Sequence, residues 1–548
     1  MQPTFGAEIV VRTLESLGVE QMFGIPGIHN LDLYDALLES PIRHITARHE
    51  QGAGFMADGY ARSSGNIGVA LVISGPGLTN ILTPMAQAFH DSIPLVVMSS
   101  QIPSTFLDQR TGFLHELRNS TIMASSVAKE SRRVLAADDI EPYLTQAFRL
   151  AHTGRPGPVH IEIPFDILHQ PGTCSASRQK SASPQESHPP ERSGIAQTRI
   201  ADALNLLHTA QRPVLILGGG ATEAGPQITQ LAERVNAVVL ETCAGKGVVD
   251  ERHPLCLGTR LHFPKVREYL QQADVILALG TELSPTDLWE CPFTTNGSLI
   301  QVDHDPANFI RNGRADIGIV GDVKQVALTL LDHLDRGKTG SPDAHTDDLD
   351  ALKTYPQSLI AEITGIGDDL PLMVDMLNVL RAALPDDAIL STDMTSPAYV
   401  GLSEFPAYQP RTFLHPIGYG TLGYALPAAI GAKVAHPERV VCVLAGDGGF
   451  QFTLPELAVA CQENLAFPLL IWNDQGFGEI RRHEEHRHPG RRIAVDHQPP
   501  DFQDLARAYQ IPATTVTQAA ELNIALHQAL EHTTSPFLIE IRTAKGVE

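Results

Sequence analysis

Cysteine is scarce, six residues in 548, and Cys174, Cys243, Cys256, Cys291, Cys442 and Cys461 are scattered with no Cys-x-x-Cys pair among them. That spacing excludes a disulfide framework and a paired-cysteine zinc site. Cationic residues are also short: 40 Lys and Arg stand against 63 Asp and Glu, a formal net charge of −23. Such a balance argues against a nucleic-acid partner or an anionic membrane surface and favours solubility. No run reaches ~18 apolar residues, and the N-terminus has no basic start leading into an apolar stretch. The expected compartment is the cytoplasm, with no membrane partner. What is present is ordinary globular material, 43% hydrophobic and 19% charged. The length suggests ~3 domains of about 150 residues each.

Helical and strand patterns alternate along the chain. Residues 6–17 read as a helix, and 21–26, 69–74, 94–99 and 158–163 as strands. Strands separated by helices of 10–15 residues indicate a parallel, doubly wound sheet. Residues 171–194 lose apolar periodicity and read as a linker. A second unit, 195–335, has strands at 213–217, 237–240, 275–278 and 298–302. Gly218-Gly219-Gly220-Ala221 follows its first strand but does not fit Gly-x-Gly-x-x-Gly, so a tight strand–helix turn is expected there. Residues 336–357 read as a second linker, and 358–548 as a third α/β unit resembling the first. The fold expectation is three consecutive parallel-sheet α/β domains, with limits 1–170, 195–335 and 358–548.

Chemistry concentrates near the C-terminal end. Gly446-Asp447-Gly448-Gly449-Phe450 closes one apolar strand, and Trp472-Asn473-Asp474-Gln475-Gly476 closes the next. Carboxyl ends of neighbouring parallel strands open into one crevice, where ligands bind. Two oxygen ligands there suit a hard octahedral cation completed by phosphates and water. Gly448 and Gly449 leave backbone N–H groups bare at a helix start, which suits a phosphate. The pattern points to Mg²⁺ and a diphosphate.

Far upstream, Arg48-His49-Glu50-Gln51-Gly52-Ala53-Gly54 sets a carboxylate before a small-residue helix. Together the segments resemble the thiamine-diphosphate enzymes of the acetolactate synthase, pyruvate decarboxylase and benzaldehyde lyase group, over essentially the whole chain. The resemblance names the three units pyrimidine-binding, central and diphosphate-binding. It implies that Glu50 hydrogen-bonds the cofactor's pyrimidine, that a raised carboxyl pKa follows from enclosure by apolar groups, and that Leu422 wedges the two rings together. It also implies that Gly420 offers its carbonyl to the 4′-amino group. Met394, Thr395, Ser396, Gly446, Gly448, Gly449, Phe477, Gly478 and Glu479 are implied cofactor contacts, with Thr395 and Ser396 also suited to a helix N-cap. Asp447, Asp474 and the Gly476 carbonyl are the implied Mg²⁺ ligands, Asp474 standing where relatives commonly carry Asn.

Substrate handling is read from the same resemblance. His29 falls where relatives place a relay histidine, and His115 where acetolactate synthases present a Gln. Ile480 occupies the position of the decarboxylases' second catalytic Glu, and Glu479 is one step away. Ile480, with the likeness of segments 49–62 and 418–433 to synthase large subunits, suggests decarboxylation of a small-molecule 2-oxoacid with carboligation to a second carbonyl, as in acetolactate synthases. Against that stand Ile28, and His483 where those synthases carry Trp. Leu114-His115-Glu116-Leu117, Gly280-Thr281-Glu282-Leu283 and the Asp287/Trp289 stretch look more like a non-ligating decarboxylase of 5-guanidino-2-oxopentanoate, whose cationic tail would suit acidic residues. A catalytically silent cofactor-binding paralogue is the alternative of another class. The Phe-Asp-Asp-Arg run associated with flavin is missing, so FAD is not supported. The basic stretch 481–488 reads as a solvated or lid segment. The resemblance further implies a homodimer or homotetramer with active sites formed between chains.

Overall fold

Strands Gly68–Val72 and Leu95–Gln101 are buried on both faces, as strands covered by helices on both sides must be. In the computed structural model such strands form the centres of three parallel sheets. The structure describes residues 4–175, 197–289, 293–334, 346–353, 355 and 357–543. The first sheet is ordered Arg43–Thr46, Gln21–Gly24, Gly68–Val72, Leu95–Gln101, Pro158–Pro164, Glu130–Arg133. The third is ordered Phe413–Leu414, Ile389–Thr392, Val441–Gly446, Pro468–Asn473, Phe537–Arg542, Ala513–Val516. Counted along the chain, both run 2-1-3-4-6-5, so the first and third units share one topology. The middle sheet has five strands: Val238–Glu241, Pro213–Leu217, Val275–Leu279, Ser298–Asp303, Ile317–Val320.

The expected three parallel-sheet units are therefore present. Most of the expected linkers, 176–194 and 336–345, lies outside the described residues. Their edges are more regular than expected. Pro171–Gly172 pairs antiparallel with Thr4–Phe5, and Thr346–Lys353 is a helix that buries Leu349 and Leu352. Gly218 and Gly220 press against the backbone of Gly280, where any Cβ would collide, so this is the tight turn the sequence suggested.

Two helices join the first and third units. Glu50–Ser64 packs along Ala425–Ala435, and small residues let the backbones touch. A Cβ at Gly431 would overlap the Met56 carbonyl, and one at Gly59 would overlap Ala428. Phe55 and Tyr424 meet edge to face at 5.5 Å, inside a core shared by both units.

Candidate active site

In both repeated sheets the chain order reverses between the first and third strands, and a crevice opens at the carboxyl ends of those strands. In the third unit these ends carry Asp393 to Ser396 on one side and Gly446 to Gly449 on the other. Asp447 begins the helix Asp447–Thr453, and its carboxylate accepts the Gly476 N–H at 3.1 Å. Asp474 lies next to it. Burial pushes the Asp447 carboxyl up to about 6, and burial followed by the Asp447 charge pushes Asp474 up to about 6. A buried carboxyl, a half-buried one and a neighbouring carbonyl form a corner that favours a cation. Gly446, Gly448 and Gly449 line the same corner: a Cβ would come within 2.9 Å of the Thr395 hydroxyl, the Phe477 ring and the Asp393 carboxylate respectively. Thr395 holds the N-cap position of Ser396–Glu404, but its hydroxyl makes no capping bond, which corrects the N-cap role expected for it.

The turn from His415 to Leu422 closes this corner. Gly420 has φ +69° and its nearest side-chain neighbour is Met394. Leu422 is half-buried rather than sunk in the core, so it presents an apolar face to open space. Asp393, which the sequence reading passed over, ties the turn to the strand end by accepting the Gly423 N–H at 2.9 Å. Its signal was present in Ser391-Thr392-Asp393, a polar run ending a buried strand.

The first unit gathers the remaining residues at its own switch point. Glu50 begins its helix and accepts the Asn80 amide at 2.9 Å, with Gly77 beside it. Glu50 is only half-buried, so one chain does not supply the apolar enclosure expected for it. His29 is buried, with Nδ1 2.7 Å from the Ser74 hydroxyl and its ring 5.3 Å from those of His115 and Phe165. Burial first, then the neighbouring His115, lowers its pKa, which keeps it neutral near pH 7. His115 sits at φ +66° against Gly75, and its Nδ1 is buried without a hydrogen bond among the described residues.

Several expected pocket groups are engaged elsewhere. Glu479 pairs with Arg482 and His483, and Ile480 is exposed. Glu282 is held between Arg155 and Arg311. The basic stretch is not simply solvated: Arg481 is buried, and its guanidinium donates to the Asp474 and Gln475 carbonyls, fixing the turn that presents Asp474 and Gly476. Sequence reasoning also missed His497, 3.2 Å from the Asp447 carboxylate, and Glu456, which accepts the Arg48 and His49 N–H groups. Asp287 accepts the Cys243 N–H at 3.0 Å and has no cation partner among the described residues. It lines a crevice of about 20 Å³ with Ile417 and with Trp289, which stacks on His262 at 4.0 Å.

The residues fit the implied cofactor: side-chain-free glycines at a helix start and a hydroxyl not spent on capping for a diphosphate, and an open apolar face at Leu422 for the rings. Two carboxyls and a carbonyl are few ligands, which matches a cation that keeps phosphates and water in its shell. Comparison with known proteins agrees. Residues 5–128 match the family model of the thiamine pyrophosphate enzyme N-terminal TPP binding domain, 200–330 that of the central domain, and 395–541 that of the C-terminal TPP binding domain. The chain is 40% identical to a probable 2-ketoarginine decarboxylase of Pseudomonas aeruginosa over 92% of its own length and 88% of that protein. It is 34% identical to the acetolactate synthase isozyme 3 large subunit of Escherichia coli, covering 97% and 93% of the two chains. A probable acetolactate synthase large subunit of Methanococcus aeolicus is 31% identical, covering 98% and 91%. On fold and sequence alike, the chain belongs to the thiamine pyrophosphate enzyme family.

Proposed function

We propose that this protein is a thiamine-diphosphate- and Mg²⁺-dependent decarboxylase of a 2-oxoacid with a cationic tail, releasing an aldehyde. The observation that carries the choice is the His29–His115 pair, with His115 Nδ1 buried and unspent. A group able to deliver a proton at the reacting carbon favours release over transfer to a second carbonyl. The bound cofactor supplies the electron sink for loss of CO₂. Asp447, Asp474 and the Gly476 carbonyl hold the cation, Thr395 and the glycine amides hold the diphosphate, and Glu50 moves a proton at the pyrimidine. The 40% likeness to a probable 2-ketoarginine decarboxylase supports a guanidinium-tailed substrate. Carboligation of acetolactate-synthase type is the second reading, favoured by Ile480 standing where an acid would protonate and by the synthase relatives.

The site is completed by a second copy of the chain. Glu50 starts a helix and Arg62, near its end, touches the turn that carries Gly420. At 1.5 Å per residue those ends stand about 18 Å apart. That separation within one chain supports a site in which a two-fold partner would bring its own Glu50 beside this chain's Gly420 carbonyl.

Product analysis tests the reading, with pyruvate, 2-oxobutyrate, benzoylformate and 5-guanidino-2-oxopentanoate offered separately. CO₂ with only 4-guanidinobutanal from the guanidino acid, and inertness toward pyruvate, is expected. Acetolactate or acetoin from pyruvate would overturn it in favour of carboligation, and binding without consumption of any 2-oxoacid would leave a silent paralogue.

A further inference from the structure

Arg62 and Asp91 form a buried ion pair at 2.6 Å, their side chains 10% and 3% exposed. Charges so far from water are costly unless paired and hydrogen-bonded, and here both groups have several partners. Arg62 also pairs with Asp58 at 2.5 Å, and Asp58 accepts the Tyr424 hydroxyl at 2.7 Å. The second Asp91 oxygen accepts the Gly418 N–H at 2.8 Å. Gln87, fully buried, donates to Asp91 at 2.6 Å, and its carbonyl accepts the Thr421 N–H at 3.4 Å. Arg62 reaches the His415 carbonyl at 3.4 Å. Three side chains of the first unit thus grip the third unit's turn at His415, Gly418 and Thr421, the backbone positions flanking Gly420 and Leu422. Gly418 cannot carry a side chain, because a Cβ would run into the Asp91 carboxylate.

We infer that Asp91, with Arg62 and Gln87, is the positioning group that sets the height of Gly420 and Leu422 under the cofactor rings. None of the three touches the cation–diphosphate corner, which is built from Asp447, Asp474 and Thr395. The grip therefore acts on the ring end of the cofactor and leaves the diphosphate end alone. This rests on the reading that the chain binds thiamine diphosphate.

That division gives the test. Dissociation constants of Mg²⁺ with thiamine diphosphate, and of Mg²⁺ with inorganic pyrophosphate, are measured by calorimetry on the full-length wild type, Asp91→Ala, Asp91→Asn and Gln87→Ala. Losing a charge-assisted hydrogen bond predicts weaker thiamine diphosphate binding by about tenfold to a hundredfold in Asp91→Ala. Pyrophosphate binding should stay unchanged, and Asp91→Asn, which keeps an acceptor for Gly418, should recover part of the loss. The near-ultraviolet circular dichroism of the bound cofactor should change in Asp91→Ala as the rings shift. Parallel loss of both ligands, or no loss of either, overturns the inference while leaving the cofactor reading intact. If Asp91→Ala fails to fold, the same comparison on Gln87→Ala, which removes the Thr421 contact without unpairing a charge, decides it. A wild type that takes up no thiamine diphosphate sinks both the inference and the reading beneath it.

Discussion

Thr395 stands at the N-cap of its helix, yet its hydroxyl faces Gly446 across the mouth of the site, 2.9 Å from where a Cβ there would be. N-cap threonines ordinarily spend that oxygen on the helix, and losing the bond costs about 1 kcal/mol. Here no such bond exists to lose. Thr395→Val should therefore leave the melting temperature of the cofactor-free protein nearly unchanged while weakening thiamine diphosphate binding about fivefold to tenfold. Gly446→Ala, which pushes a methyl group into the hydroxyl, should weaken it further; a large drop in melting temperature for Thr395→Val would mean that the side chain is structural.

Asp474→Asn should have opposite effects on the empty and loaded protein. Asp447 and Asp474 repel each other in a buried corner, so removing one charge raises the melting temperature without metal. The same change removes an anionic ligand, so Mg²⁺ affinity falls, by about tenfold. Melting curves with and without Mg²⁺ and pyrophosphate check both signs.

Glu456 predicts a pH dependence of stability. Burial lifts its carboxyl to about 7, against an ordinary value of 4.5, despite the Arg48 and His49 N–H groups it accepts. The folded state thus binds the proton more tightly than the unfolded one. The stability linked to that proton is complete below pH 4.5 and is lost as pH rises toward 7, by about 3 kcal/mol at most. Glu456→Gln, neutral throughout, should show a shallower fall in melting temperature between pH 5 and 7.5 than wild type. Equal slopes would assign the dependence to other groups.

His115→Asn probes the proton. Asparagine tolerates the positive φ that His115 adopts, so the loop keeps its shape while the imidazole is lost. Loss of CO₂ should slow less than release of aldehyde, and ligated products should rise when a second aldehyde is supplied. Chromatography of products against CO₂ evolved measures the split, and an unchanged ratio would remove His115 from proton delivery.

Glu50→Gln and Asp447→Ala chains mixed together test the shared site. Each homodimer should be inactive, whereas a mixed pair regains one intact site from the two unmutated halves, so activity should reappear on co-refolding. No recovery in verified mixed pairs would place Glu50 and Asp447 of one chain in the same site.

Strands such as Gly68–Val72 and Val275–Leu279 were legible in the sequence because burial on both faces leaves an apolar run. Arg43–Thr46 and Glu130–Arg133 were not read as strands; both lie at the edge of their sheet, where one side is unpaired and polar residues are admitted. Ile389–Thr392 and Phe537–Arg542 were passed over although they lie inside their sheet, because polar residues interrupt their apolar runs. The same divide separates site residues. Glu50, Asp447, Asp474 and Gly420 announce themselves through spaced glycines. Arg62 and Asp91 act by meeting backbone atoms distant in sequence, and Arg481 by folding back on a turn six and seven residues before it, relations that only the folded chain displays. Arg481 in particular looked like part of a solvated basic run, because nothing local signals that it turns inward to two carbonyl oxygens.

The close seam between the helices Glu50–Ser64 and Ala425–Ala435 also governs how the chain is made. Met56 and Gly59 are covered by a helix that leaves the ribosome more than three hundred residues after them. At about 5–20 residues per second that interval is on the order of tens of seconds. Throughout it the first unit is translated, folded in its sheet and uncovered along one apolar flank. During synthesis that flank is a surface for a chaperone to cover, and a side chain at Gly59 or Gly431, by colliding with Ala428 or Met56, would hinder the closure that ends its exposure.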